Sequence, residues 1–398
     1  MTTLIYDSSS KIGHQVDYIM HLVAYIKQSR FLYPNNYIFV LSPVIVSHLK
    51  NPIDSENIKV ITITDVVMNS LLEPVNFLNK YKNSSIEGEY LKMILLNFNV
   101  NKIFFMFLDR HIVLASRSRF YPLHIGIFGI YFRPLPSLIN NELKYIPKIV
   151  HSIKKLAKAY TLKLLISSSN IKKIYVSEDI DLTEWLNQYV LRDRFFYLPD
   201  PVDQQIATSM NSWRDLYSIG SSSVVYLIFG VMGVRKNIIN CINAYKIMLS
   251  NNSTTHSKLL IVGKFESEAY KEVVLDLVNS DLILRSHVII DDRFVNNYER
   301  EQLFAGCQVV LMPYLNFQGA SGVLLHSVKY LKPVVVSNTG VVMKLVNNYN
   351  LGYCVSPSSI NDIADAMIKS LAFKSDDKLN KEFLNSHSYT NFARTLLD

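Results

Sequence analysis

The sequence predicts an α/β protein made of two parallel-sheet domains. Three observations carry that reading. The chain has 398 residues, more than one hydrophobic core ordinarily serves. Short β-branched and aromatic runs alternate with helix-length segments from end to end, as parallel strands joined by crossover helices require. The series then restarts after a polar stretch, "DPVDQQIATSMNSWRDLYSIGSSS", which places a hinge near residues 200–220.

In the first series, "TLIYD" is a strand, "SSSKIG" its following loop and "HQVDYIMHLVAYIKQ" a helix. "YIFVL", "IKVITI", "KIFFMF" and "HIGIFGIYF" are further strands with helices between them. A helical stretch over residues 140–165 precedes the strand "KIYVS" and the short "FFYLPDPVD". Past the hinge, "SSSVVYLIFGVMGV" is a strand and loop and "NIINCINAYKIML" a helix. "KLLIVG", "HVIID", "QVVLMPY", "PVVVS" and "GYCV" complete the second set of strands. The expected domains are 1–205 and 206–375, with 376–398 a closing helix that crosses back toward the first domain.

Composition narrows the function. Apolar residues make up 49% and charged residues 19%, which is globular rather than disordered. A formal charge of +8 favours anionic company: sugar nucleotides, an acidic leaflet or nucleic acid. Nucleic acid is the weakest of these, since no block of like charge and no RNA-reading motif appears. Cys241, Cys307 and Cys354 lie far apart, so they form neither a disulfide framework nor a zinc site and suit a reducing cytosol. The N-terminus lacks a basic-then-apolar leader. Runs such as "VVYLIFGVMGV" fall short of the roughly 20 residues that span a bilayer. The expectation is a cytoplasmic protein that touches a membrane at most peripherally. Lys144, Lys148, Lys154, Lys155 and Lys158 could face anionic lipid or simply form a solvated helix face.

Ligands of parallel sheets sit beyond the carboxyl ends of the strands, so residues that follow those ends are the candidates for chemistry. In "LIFGVMGVRKNI" a buried strand ends at Gly230, and Arg235 and Lys236 follow just before a helix. Lys offers a phosphate a point charge and Arg a two-pronged grip, although the same pair would suit a solvated turn. In "NFQGASGVLLHSVKYL" a turn leads into a helix that Ser321 can cap, with Gly322 and Val323 presenting amides. Such a helix start attracts anions. "SSSKIGHQ", with Ser8 to Ser10, Gly13 and His14, resembles a phosphate-approach loop but lacks G-x-G-x-x-G. Asp179 and Asp181 form a DxD that reads better as a helix start than as a metal site. "DDRFV", with Arg293 and Phe294, either lines a base pocket or caps the next helix. No zinc-type spacing, P-loop or G-x-S-x-G occurs.

The second half resembles the donor domain of a GT-B glycosyltransferase, the two-Rossmann-domain architecture, in its large family 4. "LPDPVD" matches that family's "PNGVD", "FGVMGVRKNI" its "GRLxxxKG", and "LLIVGKF" its "LxIVGxG". "LFAGCQVVLMPY" is similar to "AxADVFVLPS", and "QGASGVLLHSVKYLKPVVVSNTG" to "EGFGLxxLEAMACGxPVVAxxxGG". The resemblance covers about residues 195–375 and includes features of a divergent bacterial branch linked to polysaccharide synthesis. It implies a nucleotide-diphosphate donor (UDP-, GDP- or TDP-linked) and a glycan or lipid-linked acceptor. It also implies retention of configuration, with no metal or other cofactor.

Residue by residue, the resemblance puts the donor phosphates on Gly230, Arg235, Lys236, Ser321, Gly322 and Val323, with Gly13 added from the place of its loop after the first strand. It puts the donor sugar and nucleoside on Gln318, Gly319, Ala320, His326, Arg293 and Phe294. The chain departs from the family where two Glu positions hold Gln318 and His326, and where the Arg of "GRL" holds Val231. The first Glu usually meets the donor sugar and the second the ribose. Gln and His still exchange hydrogen bonds with hydroxyls, so the changes bear on specificity first. Asp109 and His111, beside Arg110 after "KIFFMF", are expected to join Arg235 and Lys236 in catalysis, and His14 and Arg133 to face the acceptor. The competing reading, motivated by the missing glutamates, is a non-catalytic GT-B subunit that holds or activates another transferase. A sugar-nucleotide epimerase on the same fold lacks an acid–base carboxylate pair to support it.

Overall fold

The computed structural model describes residues 1–10, 15–29, 35–49, 53–72, 77–132, 160, 163–203, 212–250 and 256–397. Gly13, His14, Arg133 and the lysines from Lys144 to Lys158 lie outside them. The chain forms two compact units. One is Met1–Pro199 together with Phe392–Asp398, and the other is Asp200–Asn391.

The first unit contains β1 (Thr2–Asp7), β2 (Asn36–Leu41), β3 (Ile58–Thr62), β4 (Lys102–Phe105), β5 (Gly126–Tyr131), β6 (Ile171–Ser177) and β7 (Phe195–Leu198). They pair in parallel in the order β3-β2-β1-β4-β5-β6-β7. The second unit contains β8 (Val224–Phe229), β9 (Ser257–Val262), β10 (Val288–Asp291), β11 (Val309–Met312), β12 (Val334–Ser337) and β13 (Gly352–Val355). These also pair in parallel, in the order β10-β9-β8-β11-β12-β13. Both sheets are thus doubly wound, with a topological switch point between β1 and β4 in one and between β8 and β11 in the other.

Helices cover both faces, which explains the nearly unbroken apolar strands. On the second sheet Val225, Leu227, Val310 and Val336 enter one buried cluster. Their neighbours Tyr226, Ile228, Leu311 and Val335 enter another. That alternation is the period-2 register of strands buried on both sides.

The closing segment differs from the single helix expected. It forms two helices, Asp377–Ser386 and Tyr389–Leu397. The break falls at His387 and Ser388. The His387 carbonyl accepts from the Val202 amide at 2.8 Å, and the Ser388 hydroxyl accepts from the Asn391 amide at 3.1 Å. A carbonyl spent on Val202 and a serine suited to starting a helix make two helices more favourable than one. The Lys102 ammonium donates to the Leu396 carbonyl at 3.1 Å, a cation at the C-terminal end of the last helix.

Candidate functional site

The switch point of the second sheet gathers the basic pair. β8 ends at Gly230, whose φ of +109° suits glycine. A single turn of 3-10 helix, Val234–Lys236, follows, and Asn237 ends it in the left-handed region. Asn237 is held there by bonds from its side-chain amide to the Pro313 and Pro357 carbonyls at 2.9 and 2.6 Å. This fixes the two cations differently. Lys236 is 4% exposed and donates to the Phe229 carbonyl and to the Tyr314 hydroxyl, both at 2.7 Å. A Cβ at Gly230 would stand 3.3 Å from the Lys236 Nζ, so glycine there clears room for the ammonium. Arg235 is exposed and lies over the rings of Tyr314 and Phe317, at 5.3 and 4.9 Å. Its carbonyl accepts from the Leu315 amide at 2.9 Å.

Tyr314 and Phe317 tie the basic pair to the turn leading into the Gly322–Lys329 helix. Sequence reasoning missed both. The available signal was position, because they directly follow β11 at the switch point. Ser321 occupies the N-cap position of the helix, but its hydroxyl makes no capping bond, contrary to expectation. The amides of Gly322 and Val323 belong to the first turn, where no intrahelical acceptor exists. Burial of Leu324, Leu325 and Val328 anchors the helix. Gln318 and Ala320 are half-buried and Gly319 is exposed. The Gln318 carbonyl accepts from the Val341 amide at 3.0 Å, so its backbone is pinned.

His326 lies within the same helix, with Nδ1 3.5 Å from Oε1 of Glu301 on the Asn297–Gly306 helix. Glu301 also receives the Lys329 ammonium, the Tyr330 hydroxyl at 2.8 Å and the Arg300 guanidinium at 3.2 Å. Burial works to raise its carboxyl, but Lys329, Tyr330 and His326 outweigh it and hold the carboxyl below its usual value. Glu301 is another residue that the motif comparison passed over, since it lies on a different helix from the expected glutamate position.

Arg293 follows β10 and is engaged with acids. It bonds Asp291 Oδ2 at 3.0 Å and Glu299 Oε1 at 2.8 Å. The Tyr217 hydroxyl also donates to Asp291, at 2.6 Å, and burial together with that carboxylate pushes the phenol upward. Arg293, Tyr217, Trp213, Tyr298 and Glu299 help line a pocket of about 280 Å³. Phe294 is 75% exposed. The next helix is capped by Asn296 and Glu299 in a capping box rather than by Asp291 or Asp292. Asp179 likewise serves as a cap, accepting from the Leu182 amide at 3.1 Å.

The first sheet's switch point holds a buried polar cluster. Asp7 ends β1, and the Leu108–Ser116 helix follows β4. Asp109 accepts from the Phe132 amide at 2.8 Å. His111 is only 1% exposed and lies inside the unit, with its Nδ1 3.5 Å from Glu87. The cause is helical: the first turn after β4 carries His111 inward beside Leu108 and Ile112. Ser8 turns inward too, donating to Glu87 at 2.5 Å. Burial would raise the Glu87 carboxyl, yet His111, Ser8 and Arg110 lower it overall. Asp7 goes the other way, raised by burial.

Residues 223–372 match the family model described as Glycosyl transferases group 1. No curated protein matches the chain in sequence. Solved structures share the fold along nearly the whole length. Sucrose-phosphate synthase from Thermosynechococcus elongatus is 13% identical with a TM-score of 0.69, over 99% of this chain and 96% of that one. A glycosyltransferase from Rickettsia africae is 15% identical with a TM-score of 0.65, over 100% and 96%. Anabaena Alr3699/HepE, in complex with UDP and glucose, is 14% identical with a TM-score of 0.62, over 100% and 96%. The two parallel-sheet units are those of the GT-B fold, and the match to the glycosyl transferases group 1 model lies within the second of them.

Proposed function

We propose that the chain transfers a sugar from a nucleoside-diphosphate donor to a glycan or lipid-linked acceptor, in the cytoplasm, without a metal and with retention of configuration. The observation that carries this reading is the convergence at the β8–β11 switch point. Buried Lys236, exposed Arg235 and the first-turn amides of Gly322 and Val323 are joined there through Tyr314 and Phe317. A diphosphate leaving group gains charge as its bond to the anomeric carbon breaks. Fixed cations and amides stabilise that charge without reorganising. The acceptor oxygen bonds the same face of the anomeric carbon, and its proton passes to the departing phosphate oxygen, so no protein base is needed. Arg293 and the pocket beside it suit the nucleoside end of the donor.

UDP-, GDP- and TDP-sugars test the proposal by equilibrium binding and by slow hydrolysis of the donor without an acceptor. Binding and release of the nucleoside diphosphate support it, and no binding to any of the three overturns it. The exchange of two family glutamates for Gln318 and His326 favours one second reading, a non-catalytic subunit. That reading expects no nucleotide binding and copurification with an active transferase.

A further inference from the structure

We propose that the Phe77–Asn97 helix of the first unit is a docking surface for an anionic lipid bilayer, with its outward face lying flat against the membrane. The inward face of this helix is that of any core helix. Tyr90, Leu91 and Ile94 are buried in the core of the unit. The outward face is not what a solvated helix shows. Leu78 and Leu96 stand about five turns and 27 Å apart, so they point the same way, and they are 71% and 87% exposed. Tyr81 and Met93 lie about 60° to either side of that line and are 54% and 58% exposed. A surface helix normally keeps its apolar stripe for the core and turns polar residues outward. This helix is apolar on both faces, and an apolar outer face marks a site of interaction.

Charge decides the partner. Lys82 and Lys92 share the exposed face. Glu89, the only acid among the described residues of that face, lies 3.6 Å from Lys92. Arg117 and Arg119 rim the face from the turn that packs on it. The Arg117 guanidinium donates to the Ser84 and Ser85 hydroxyls at 2.6 and 2.8 Å and lies 4.6 Å over the Tyr81 ring. Arg119 is exposed and lies over Phe120, whose ring packs against Gly88. Cations thus outnumber acid along the whole stripe. Two copies joined through this face about a twofold axis would set those cations against each other. A bilayer with anionic headgroups accepts them. Lysine stems let the ammonium groups reach the headgroups while Leu78, Met93 and Leu96 enter the acyl boundary, and a tyrosine suits the layer between. The helix lies on the membrane rather than through it, since no helix among the described residues is long and apolar enough to cross one. This surface is independent of the donor reading, because none of its residues belongs to the donor site.

The experiment is flotation of the full chain with vesicles of phosphatidylcholine alone and of phosphatidylcholine mixed with phosphatidylglycerol. The native chain binds the mixed vesicles and binds the neutral ones at least about tenfold more weakly. Lys82→Gln combined with Lys92→Gln weakens binding to the mixed vesicles by about tenfold or more. Leu78→Gln, Met93→Gln and Leu96→Gln together weaken it about 100-fold. Both variants keep the native melting temperature, because the replaced side chains are exposed, and this separates the effect from misfolding. Tyr81→Trp adds a tryptophan at the contact, so lipids brominated on their acyl chains quench its fluorescence beyond that of the native chain. No binding of the native chain to the mixed vesicles overturns the proposal. Binding that the three apolar substitutions leave unchanged is diffuse attraction to a chain of net charge +8, and overturns it too. A native dimer that the same substitutions dissociate in sedimentation assigns the face to a second copy and overturns the bilayer as its partner.

Discussion

Lys236 reaches its place with two of its three N–H donors committed, one to the Phe229 carbonyl and one to the Tyr314 hydroxyl. The third is what a diphosphate would meet, from an ammonium that is 4% exposed and so poorly screened. Lys236→Ala should lower donor turnover about 100-fold, the loss of a charge-assisted contact worth roughly 3 kcal/mol in the transition state. Steady-state kinetics with the best donor checks this, and unchanged turnover removes Lys236 from the chemistry. A second expectation concerns Asp7, which is fully buried near Ser9, His111 and Arg110. Burial raises its carboxyl. The stability it contributes is therefore complete below the unfolded value of 3.8 and is lost as pH rises through the folded value. Asp7→Asn removes that loss. Its stability relative to the native chain should grow from pH 4 toward pH 7, by about 1.4 kcal/mol for each pH unit separating the two values. Urea midpoints across that range measure it, and a constant difference refutes it.

At the scale of elements, the glycines at strand ends carry more than permissive geometry. Gly263 follows β9 with φ +146°, and a Cβ there would stand 1.8 Å from the Gly230 carbonyl oxygen. The loop that presents Lys236 thus packs directly on the backbone of its neighbour. Gly263→Ala should destabilise the second unit by more than about 2 kcal/mol and weaken donor binding together with it. Thermal melting with and without donor tests this, and an unshifted melting temperature contradicts the packing argument. The strands themselves were legible in the sequence. β8, β9, β11 and β12 are continuous apolar runs bounded by Gly, Pro or polar residues, which leaves little freedom in locating them. Arg235 and Lys236 were legible for the same reason, because a strand end followed by a short basic turn has few possible positions. Tyr314, Phe317 and Glu301 were not. Their roles come from contacts to residues distant in sequence, as in Tyr314 to Lys236 and Glu301 to His326. The break at His387 was hidden likewise, since its cause is the distant Val202 amide. The inward turn of His111 depends on helical phase, which a short polar segment does not reveal.

For the whole molecule, the two units carry separate buried cores, and each contains one of the chain's two tryptophans. Trp185 packs on the first core and stacks on Tyr189 at 5.2 Å. Trp213 is 3% exposed, belongs to the second core and helps line the pocket beside Arg293. Variants that keep one tryptophan therefore report the units one at a time. A ligand that binds only a folded unit stabilises it by about 2.7 kcal/mol at a hundredfold excess over Kd. If Lys236, Arg235 and the Gly322–Lys329 helix hold the donor, a nucleoside diphosphate should raise the urea midpoint seen by Trp213 in Trp185→Phe. The midpoint seen by Trp185 in Trp213→Phe should move less. The same comparison in Lys236→Ala should lose most of the shift, which ties it to the switch point rather than to general anion binding by a chain of net charge +8. High salt provides the matching control, because diffuse attraction fades over a Debye length of about 8 Å while a buried contact persists. A shift reported by Trp185 alone would move the phosphate site to the first unit and overturn the assignment of the donor to the second.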